Sequence, residues 1–504
     1  MKQPFFYDIT LRDGNQSLKK PWDIKEKEYV FNLLCDLGVQ AIEVGFPASS
    51  EMDFEACKLL AQKAPENIVI SGLARAVESD IARAAEAIKF AAKPRIHTFI
   101  TLSPFHMEHV LNKTPEQARK YATEAVAYAM DKIGSKGEVQ FSVEHFGDCG
   151  ENLDFVIDTL QDVVRAGATT INLPNTVERY RPMHFLNMVE KVRQALPEHV
   201  TIAVHCHNDL GMATATTVES YFKGAVQLEC SLNGLGERTG NTNLYEVAIA
   251  LHNSGVEVPL NLNKFYETAI DIAHASNVKI HEKAPLIGSD SLAHRSGIHQ
   301  DGALKTKDME MGAYRPINPT LIGRNDNEKI AFTSQSGKTA IFEIVKGEGY
   351  PITIKEAIRI SHKAKEMAES IGEVNTEQII ALYINHVLDV KGKFDFIDFE
   401  KKSENKYELK FMFENNLYHP EGTGNGPVAC CLDALKNAGF EQKLVHYEQF
   451  ALDEKLLGSS SRAMSVIHME KDDTKEEIIA RAVDSDTARA NVKAIFNAMN
   501  LIYQ

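Results

Sequence analysis

The feature that most constrains the fold of this chain is an alternation of short β-rich runs with longer helical patterns. Apolar and β-branched runs predict eight strands, at 5–10, 41–46, 67–73, 95–101, 139–144, 169–175, 201–208 and 226–234. Helical patterns such as 24–37 and 114–133 lie between them. Eight β/α units in about 270 residues are typical of a TIM barrel. An open doubly wound sheet would normally carry a glycine-rich turn after its first strand, and none is present there. We therefore predict an α/β fold with a TIM (β/α)8 barrel at 1–275.

Polar side chains gather at one end of the predicted strands. Arg12 and Asp13 follow the first strand, and later strands carry or lead into His97, Ser142, Glu144, Thr176, His205, His207 and Asn241. TIM-barrel enzymes build their active sites at the carboxyl-terminal ends of the strands, whereas random surface polarity would be scattered over both ends. The concentration predicts an enzyme.

The triplet His205-Cys206-His207 ends an apolar run and predicts a metal site. Residues two apart on a strand face the same side, so both imidazoles point one way. Asp13 supplies a carboxylate, Asn241 can add a carbonyl oxygen, and a closed barrel makes their strands neighbours. Such mixed ligands suit Zn, Mn, Mg or Co. The alternatives are a hydrogen-bonded histidine pair in a core, a salt bridge or cap at Asp13, and a helix N-cap at Asn241.

The other polar residues have candidate roles beside this metal. Arg12 can bind a carboxylate or stabilise a developing enolate oxygen. Glu144 is the candidate general base or water-activating group, since an enclosed carboxylate can have its pKa raised. His97 and Thr176 are candidate hydrogen-bonding partners for a substrate carboxylate.

The pattern changes after the barrel. Helical patterns at 336–347, 353–370 and 375–389, with few strands, predict linker subdomains over 276–392. The segment 393–504 predicts an α+β domain in which 431–438 aligns with 491–498, at a spacing of 60. Each copy is a helix preceded by a strand-like segment and a turn. Two such pseudo-repeated βα units predict a ligand-sensing or dimerising module, and a plain structural appendage is the alternative.

Composition excludes several functional classes. The net charge of −15 comes without a basic block, which argues against a nucleic-acid or membrane-surface partner. The start of the chain predicts no signal peptide, and no apolar run approaches the ~20 residues of a membrane helix. Seven scattered cysteines predict reduced thiols and a cytoplasmic location.

Several segments together resemble one enzyme family. They are TLRDGNQ (10–16), IEVGFP (42–47), HTFI (97–100), HCHNDLGMATA (205–215), NGLGERTGN (233–241), SGIHQDG (296–302), QSGK (335–338) and EGTGNGPV (421–428). They are similar to the alpha-isopropylmalate synthase/homocitrate synthase family of metal-dependent TIM-barrel acyltransferases, and best to its 2-isopropylmalate synthase branch. The tail resembles the leucine-sensing regulatory domain of that family.

The resemblance implies a reaction. Acetyl-CoA would add to the keto carbon of 3-methyl-2-oxobutanoate in a Claisen-type condensation, and thioester hydrolysis would release 2-isopropylmalate, in the first committed step of leucine biosynthesis. A divalent metal is implied, with no organic cofactor. Leucine is implied as an effector, and a homodimer is implied in which the linker of one subunit reaches over the barrel of its partner.

The resemblance also implies residue roles. The metal ligands are Asp13, His205, His207 and Asn241. The catalytic residues are Arg12, Glu144, His299 and Tyr314, and the substrate-binding residues are His97, Ser142 and Thr176. His299 and Glu144 match acid/base residues, and Tyr314 matches a linker tyrosine near the acetyl-CoA site.

Three rival functions stay open on the sequence. The first is a sister synthase that makes citramalate from pyruvate or, with less support from so long a tail, homocitrate from 2-oxoglutarate. The second is an acyl-CoA lyase, although a lyase would carry a catalytic cysteine where this chain has Glu237-Arg238-Thr239. The third is a non-catalytic binding protein, which would be expected to have lost a metal ligand.

Overall fold

The structure is a computed structural model that describes residues 2–325, 329–330, 332–451, 462–471 and 474–504. It divides into two compact units. The first is Met1–Ser291 with Ile317–Asn327, and the second is Leu292–Pro316 with Glu328–Gln504. Among the described residues, no helix combines the length and the apolar character that a bilayer crossing requires.

The first unit is a closed parallel barrel of eight strands in chain order. The strands are β1 Phe5–Asp8, β2 Ala41–Gly45, β3 Val69–Arg75, β4 Lys93–Thr101, β5 Glu138–Glu144, β6 Thr170–Asn175, β7 Thr201–Cys206 and β8 Gln227–Cys230. Strand β1 pairs with β8, with Phe5 opposite Gln227, which closes the cylinder. This confirms the predicted TIM barrel and excludes the open sheet.

Ten helices accompany the barrel strands. They are α1 Ile24–Leu37, α2 Glu51–Lys63, α3 Glu78–Ile88, α4 Pro104–His106, α5 Pro115–Ile133, α6 Leu153–Arg165, α7 Pro182–Ala195, α8 Ala213–Phe222, α9 Leu244–Asn253 and α10 Phe265–Ser276. Local sequence sets their ends. In α1, Asp23 and Glu26 form a capping box, and Gly38 ends the helix in the left-handed conformation with φ of 78°. The buried faces of these helices and the strands share one apolar core.

Three predicted strands extend too far at their carboxyl-terminal ends. Strand β1 stops at Asp8 because 10–14 turns into a single π-helical turn. Strand β7 stops at Cys206, and His207 forms only an isolated bridge with Asn241. Strand β8 stops at Cys230 because a 3-10 turn follows, with Asn233 at φ of 54°. In each case the chain leaves the extended conformation close to residues of the candidate site.

A buried polar network fills the barrel below the mouth. Arg95 donates from Nη1 to Gln140 Oε1 at 3.1 Å and to Gln227 Oε1 at 2.7 Å. Gln140 Nε2 donates in turn to Glu229 Oε1 at 2.7 Å. Because every member is hydrogen-bonded, the network holds the carboxylate of Glu229, a residue of β8, in one position inside the barrel.

In its described residues, the second unit contains helices and three small sheets. Its helices are α11 Gly297–Lys305, α12 Lys338–Gly347, α13 Ile354–Ile371, α14 Thr376–Tyr383, α15 Pro427–Asn437 and α16 Thr487–Ile502. Its strands are β9 Ala293–His294, β10 Lys329–Ile330, β11 Phe394–Ser403, β12 Lys406–Phe413, β13 Asn416–Tyr418, β14 Glu421–Thr423, β15 Lys443–Ala451, β16 Ala463–Glu470 and β17 Glu477–Asp484. The predicted helices match α12 to α14, and the last ends early in a π-helical turn, Ile384–Leu388. The segment 311–323 contains a 3-10 turn, Pro319–Ile322.

The repeat in the tail corresponds to two similar βα units. Helices α15 and α16 begin at Pro427 and Thr487, which reproduces the 60-residue spacing of the sequence repeat. The first helix follows the sheet of β11 to β14, and the second follows the sheet of β15 to β17. Both units contribute to one apolar core that includes Phe411 and Phe496. The predicted pseudo-repeated α+β architecture is therefore confirmed.

Candidate active site at the barrel mouth

One cavity of about 330 Å³ opens at the carboxyl-terminal ends of the barrel strands. Its wall includes eight of the residues singled out from the sequence: Arg12, Asp13, His97, Ser142, Glu144, Thr176, His205 and His207. Apolar side chains of Phe46, Leu73, Phe99 and Pro174 complete part of the wall. The polar strand ends therefore converge on a single cavity.

Asp13, His205 and His207 form a buried trio with the spacing of metal ligands. One ligand atom from each lies within 4.8 Å of the other two. The two histidine Nε2 atoms are 3.2 Å apart, and the rings meet edge to face at 64°. At metal–ligand distances of about 2.1 Å, two ligands of one tetrahedral ion lie about 3.4 Å apart. The two histidines thus have the separation that one shared cation requires, and a carboxylate oxygen of Asp13 lies within 4.8 Å of both.

The protonation states of the trio also fit a cation. Burial, together with the neighbouring His205, lowers the pKa of the His207 imidazole to about 3, so this ring is neutral near pH 7. Burial alone would raise the pKa of the Asp13 carboxyl, but Arg12, His205 and His207 outweigh it and hold that pKa below its usual range. A neutral imidazole and an ionised carboxylate are the forms that bind metal. His207 Nδ1 is buried without a hydrogen-bond partner among the described residues.

Asn241 contacts the trio through its amide nitrogen. Nδ2 donates to Asp13 Oδ1 and to the backbone oxygen of Leu235, each at 3.0 Å. Its Oδ1 is buried and lacks a hydrogen-bond partner within the described part of the chain. Asn241 therefore orients Asp13 in this arrangement, and its role as an oxygen ligand stays a prediction. A side chain at Gly236 would collide with Asn241, since its Cβ would lie 2.2 Å from Nδ2.

Glu43 of β2 is a site residue that the sequence reasoning missed. It is fully buried and accepts from Arg12 Nε through Oε2 at 2.5 Å, while its Oε1 lies 2.5 Å from His97 Nδ1. Burial would raise the pKa of this carboxyl, but Arg12 and His97 lower it to about 2. The ionised Glu43 thereby fixes both Arg12 and His97. The available signal was a glutamate inside an otherwise apolar buried run.

Glu229 of β8 has the same character and was also missed. It is fully buried, and its Oε2 lies 3.2 Å from His205 Nδ1. A carboxylate on the far nitrogen of a metal-binding histidine fixes its tautomer and ring orientation. Glu229 therefore directs His205 Nε2 towards His207 and Asp13.

Strands β5 and β6 bring Ser142, Glu144 and Thr176 to the wall of the same cavity. Burial raises the pKa of the Glu144 carboxyl above its usual value. Thr176 Oγ1 accepts from the backbone N–H of His145 at 2.9 Å. Ser142 Oγ lies 2.6 Å from His97 Nε2 and accepts from Asn172 Nδ2 at 2.9 Å. Both ring nitrogens of His97 are thus already engaged, so His97 acts on the cavity through Ser142 and Glu43.

His299 and Tyr314 lie in the second unit. Their rings stack with centroids 4.2 Å apart and an interplanar angle of 26°. His299 is exposed and Tyr314 retains 40% of its accessible surface. The structure therefore brings these two predicted residues together, on α11 and the loop that follows it.

Family comparisons cover most of the chain in three segments. Residues 3–272 match the HMGL-like family. Residues 291–346 match the family described as alpha-isopropylmalate synthase, post-catalytic domain-like. Residues 373–503 match the LeuA allosteric (dimerisation) domain. The domain boundaries that the sequence places after residues 275 and 392 are still predictions.

Curated relatives carry one name. The 2-isopropylmalate synthase 2 of Leptospira interrogans serogroup Icterohaemorrhagiae serovar Lai (strain 56601) is 56% identical over 378 residues, which span 75% of this chain and 88% of the relative. The 2-isopropylmalate synthase of Geobacillus thermodenitrificans (strain NG80-2) is 34% identical and covers 100% of this chain and 97% of its own. Among solved structures, the HMG-CoA lyase from Brucella melitensis aligns at 21% identity and a TM-score of 0.48, over 55% of this chain and 100% of that one. By its full-length relatives and its three matched segments, the chain belongs to the 2-isopropylmalate synthase family of Claisen-type condensing enzymes.

Proposed function

We propose that this chain condenses acetyl-CoA with 3-methyl-2-oxobutanoate and hydrolyses the thioester, releasing 2-isopropylmalate and CoA. This acyltransferase reaction would be the first committed step of leucine biosynthesis, in the cytoplasm. One observation carries the proposal: Asp13, His205 and His207 converge in the same cavity as Arg12 and Glu144. The full-length relatives named 2-isopropylmalate synthase support the choice of reaction.

The trio would hold a divalent metal, Mn, Mg, Zn or Co, and Asn241 would complete the site. When bound, such an ion supplies Lewis-acid activation of a ketone. Arg12 is already oriented by Glu43 and Asp13, with which it forms ion pairs through Nε and Nη1. Its fixed positive charge at the cavity wall would stabilise negative charge on the keto oxygen as the new carbon–carbon bond forms.

The remaining wall fits the two ends of a branched 2-oxo acid. Thr176 Oγ1 accepts from His145, so its hydroxyl hydrogen is left to donate to the substrate carboxylate. Phe46, Leu73 and Phe99 offer apolar contacts to an isopropyl group. The distal carboxylate of 2-oxoglutarate would be placed against this apolar wall at a desolvation cost, which supports the branched substrate over homocitrate synthesis.

Glu144 is the proposed proton acceptor for the acetyl methyl group. Its carboxyl lines the cavity, and burial raises its pKa above the usual value, which strengthens it as a base. Removal of a methyl proton gives the enolate carbon that attacks the ketone, and water then cleaves the thioester. Atoms balance with one water consumed and one CoA thiol released.

His299 and Tyr314 are proposed to act on the partner subunit. The LeuA dimerisation domain supports a homodimer, and the stacked pair is accessible on its own unit. In a linker-swapped dimer, His299 would exchange protons with the substrate, and Tyr314 would lie near acetyl-CoA. Each site would then combine the barrel of one subunit with the linker of the other.

Leucine is the proposed effector of the tail. The support is the match of 373–503 to the LeuA allosteric domain. Addition of leucine to the full-length enzyme should lower its turnover, and valine is the matched control of similar chemistry. Equal effects of leucine and valine, or no effect of either, would remove leucine from the proposal.

The substrate assignment is tested by following CoA release from acetyl-CoA with a panel of 2-oxo acids after metal is added. Release with 3-methyl-2-oxobutanoate, and not with pyruvate or 2-oxoglutarate, is the expected result. Release with pyruvate alone would assign citramalate synthesis instead. No release with any acid, from folded and metal-loaded protein, would favour the binding-protein alternative.

A further inference from the structure

A second cluster of metal-binding side chains lies in the loops that follow β4 and β5. His106 ends α4, His145 follows β5, and Asp148 ends the 3-10 turn Phe146–Asp148. One donor atom from each lies within 4.8 Å of the other two. We propose that these three side chains form a second divalent-metal site, distinct from the trio in the cavity. Two imidazoles and one carboxylate favour Zn²⁺, Co²⁺ or Ni²⁺ over Mg²⁺.

The distances within the cluster fit a shared ion. His145 Nδ1 lies 3.2 Å from Asp148 Oδ2, close to the ~3.4 Å that separates two tetrahedral ligands at bonds of about 2.1 Å. His145 is the N-cap residue of the 3-10 turn and Asp148 is its last residue, so one short turn supplies both side chains. The ring of His106 stacks on that of His145 with centroids 3.6 Å apart. All three side chains are half-buried, so a rotation of His106 can complete the coordination.

Outer contacts hold the ligands in position. His106 Nδ1 lies 3.1 Å from Ser103 Oγ, which leaves Nε2 for an ion. Arg179 Nε lies 3.3 Å from Asp148 Oδ1, whereas His145 contacts the other oxygen, Oδ2. Arg179 therefore orients the carboxylate without occupying Oδ2. Hydrogen bonds of this kind behind metal ligands fix their orientation and their tautomer.

Charge and backbone conformation agree with this assignment. Burial and the neighbouring His145 lower the pKa of His106, which keeps that imidazole in its neutral, metal-binding form. The His145 hydrogen bond and Arg179 outweigh burial and hold the pKa of Asp148 below its usual range. His145 itself adopts a left-handed backbone with φ of 59°. Non-glycine residues in that conformation are uncommon, and they concentrate at functional sites.

The test isolates the second site in the full-length chain. The double variant His205→Ala/His207→Ala removes two ligands of the cavity trio, and Zn²⁺ binding is then measured by equilibrium dialysis. One ion per subunit should remain. Adding His106→Ala should raise the remaining Kd by at least about tenfold. Adding His145→Asn instead should have the same effect, and asparagine is a residue suited to the left-handed backbone at that position. The control His109→Ala removes an exposed neighbouring histidine and should leave Kd within about twofold.

Two results would overturn the proposal. One is a folded double variant that binds no Zn²⁺ beyond the background. The other is a remaining Kd that neither His106→Ala nor His145→Asn changes. If the double variant fails to fold, stoichiometry decides in the parent chain: two ions should fall to one in His145→Asn, and an unchanged count would refute the site. The visible spectrum of bound Co²⁺ checks for histidine nitrogen ligands.

Discussion

At the scale of single residues, two buried carboxylates orient histidines of the cavity wall and are not themselves among the proposed metal ligands. Glu43 and Glu229 are both fully buried, and each contacts a histidine of the wall. A buried charge is tolerated only when partners satisfy it, and both carboxylates have several. The barrel interior therefore places two hydrogen-bonded carboxylates beneath the proposed metal site.

The first residue-scale prediction concerns His205. Replacement by alanine should lower kcat/KM by more than about a hundredfold, because even outer partners of metal ligands cost that much. The far-ultraviolet circular dichroism spectrum should stay unchanged, since the side chain lies at the mouth and outside the apolar core. His252→Ala, an exposed site on α9, is the control. Full turnover by a His205→Ala protein without bound metal would refute the role of the trio.

The second residue-scale prediction concerns pH. Because burial raises the pKa of Glu144 above 4.5, the fraction of active base falls as pH drops through this raised value. The acid limb of kcat/KM should therefore have its midpoint above 4.5. Glu144→Gln should abolish most activity, whereas Glu151→Gln, an exposed glutamate nearby, should preserve the limb. A Glu144→Gln enzyme with the parental profile would exclude this base.

At the scale of elements, the two repeat helices of the tail differ in the backbone groups with which they form hydrogen bonds. Asn437 of α15 and Asn497 of α16 occupy equivalent repeat positions. Asn437 is exposed and donates once, to Glu421 O at 2.9 Å. Asn497 is buried, donates to the backbone oxygens of Leu388 and Arg481, and accepts from Val390 N–H. The second helix therefore also holds the segment that enters the tail.

This divergence gives a matched pair of variants. Asn497→Ala removes three hydrogen bonds to backbone groups, two of them buried and the one to Leu388 half-buried, and should destabilise the tail by about 3 kcal/mol. Asn437→Ala loses one exposed bond and should cost about 0.5 kcal/mol or less. Native-state hydrogen exchange of the amides in β16 and β17 measures both. Equal losses of protection in the two variants would show that the buried bonds contribute nothing beyond the exposed one.

At the scale of the whole molecule, the proposed composite site makes a prediction about mixed dimers. His205→Ala inactivates a barrel and His299→Ala inactivates a linker, so each homodimer should be inactive. In a linker-swapped hybrid, one site combines the intact barrel with the intact linker. Co-expression should therefore restore about a quarter of parental activity, since half of randomly assorted dimers are hybrids with one good site. Analytical ultracentrifugation establishes the dimer.

An inactive mixture would contradict the linker-swapped composite site. If each linker served its own barrel, every site in a hybrid would contain one altered part, either the barrel or the linker, and the mixture would stay inactive. The control pairs His205→Ala with Asp13→Ala, both on the barrel. That mixture should be inactive under either arrangement, so activity there would point to contaminating parental enzyme.

The sequence by itself determined the elements and most of the candidate site. Alternating periodicity located eight strands, the 60-residue repeat located α15 and α16, and the spacing of His205 and His207 placed two imidazoles on one side. These features depend on neighbours within a few residues, where strand and helix geometry fixes side-chain direction. The roles of individual site residues are still predictions, because they depend on bound substrate and metal.

Only the tertiary structure decided which distant residues meet. Closure of β1 against β8 brings Asp13 next to Asn241. The amide nitrogen of Asn241, and not its oxygen, contacts the Asp13 carboxylate. Glu43 and Glu229 lie within buried strands, and only closure of the barrel places His97 and His205 against them. The physical reason is that local periodicity reports which face a residue occupies, whereas its partner across the barrel is set by strand register and closure.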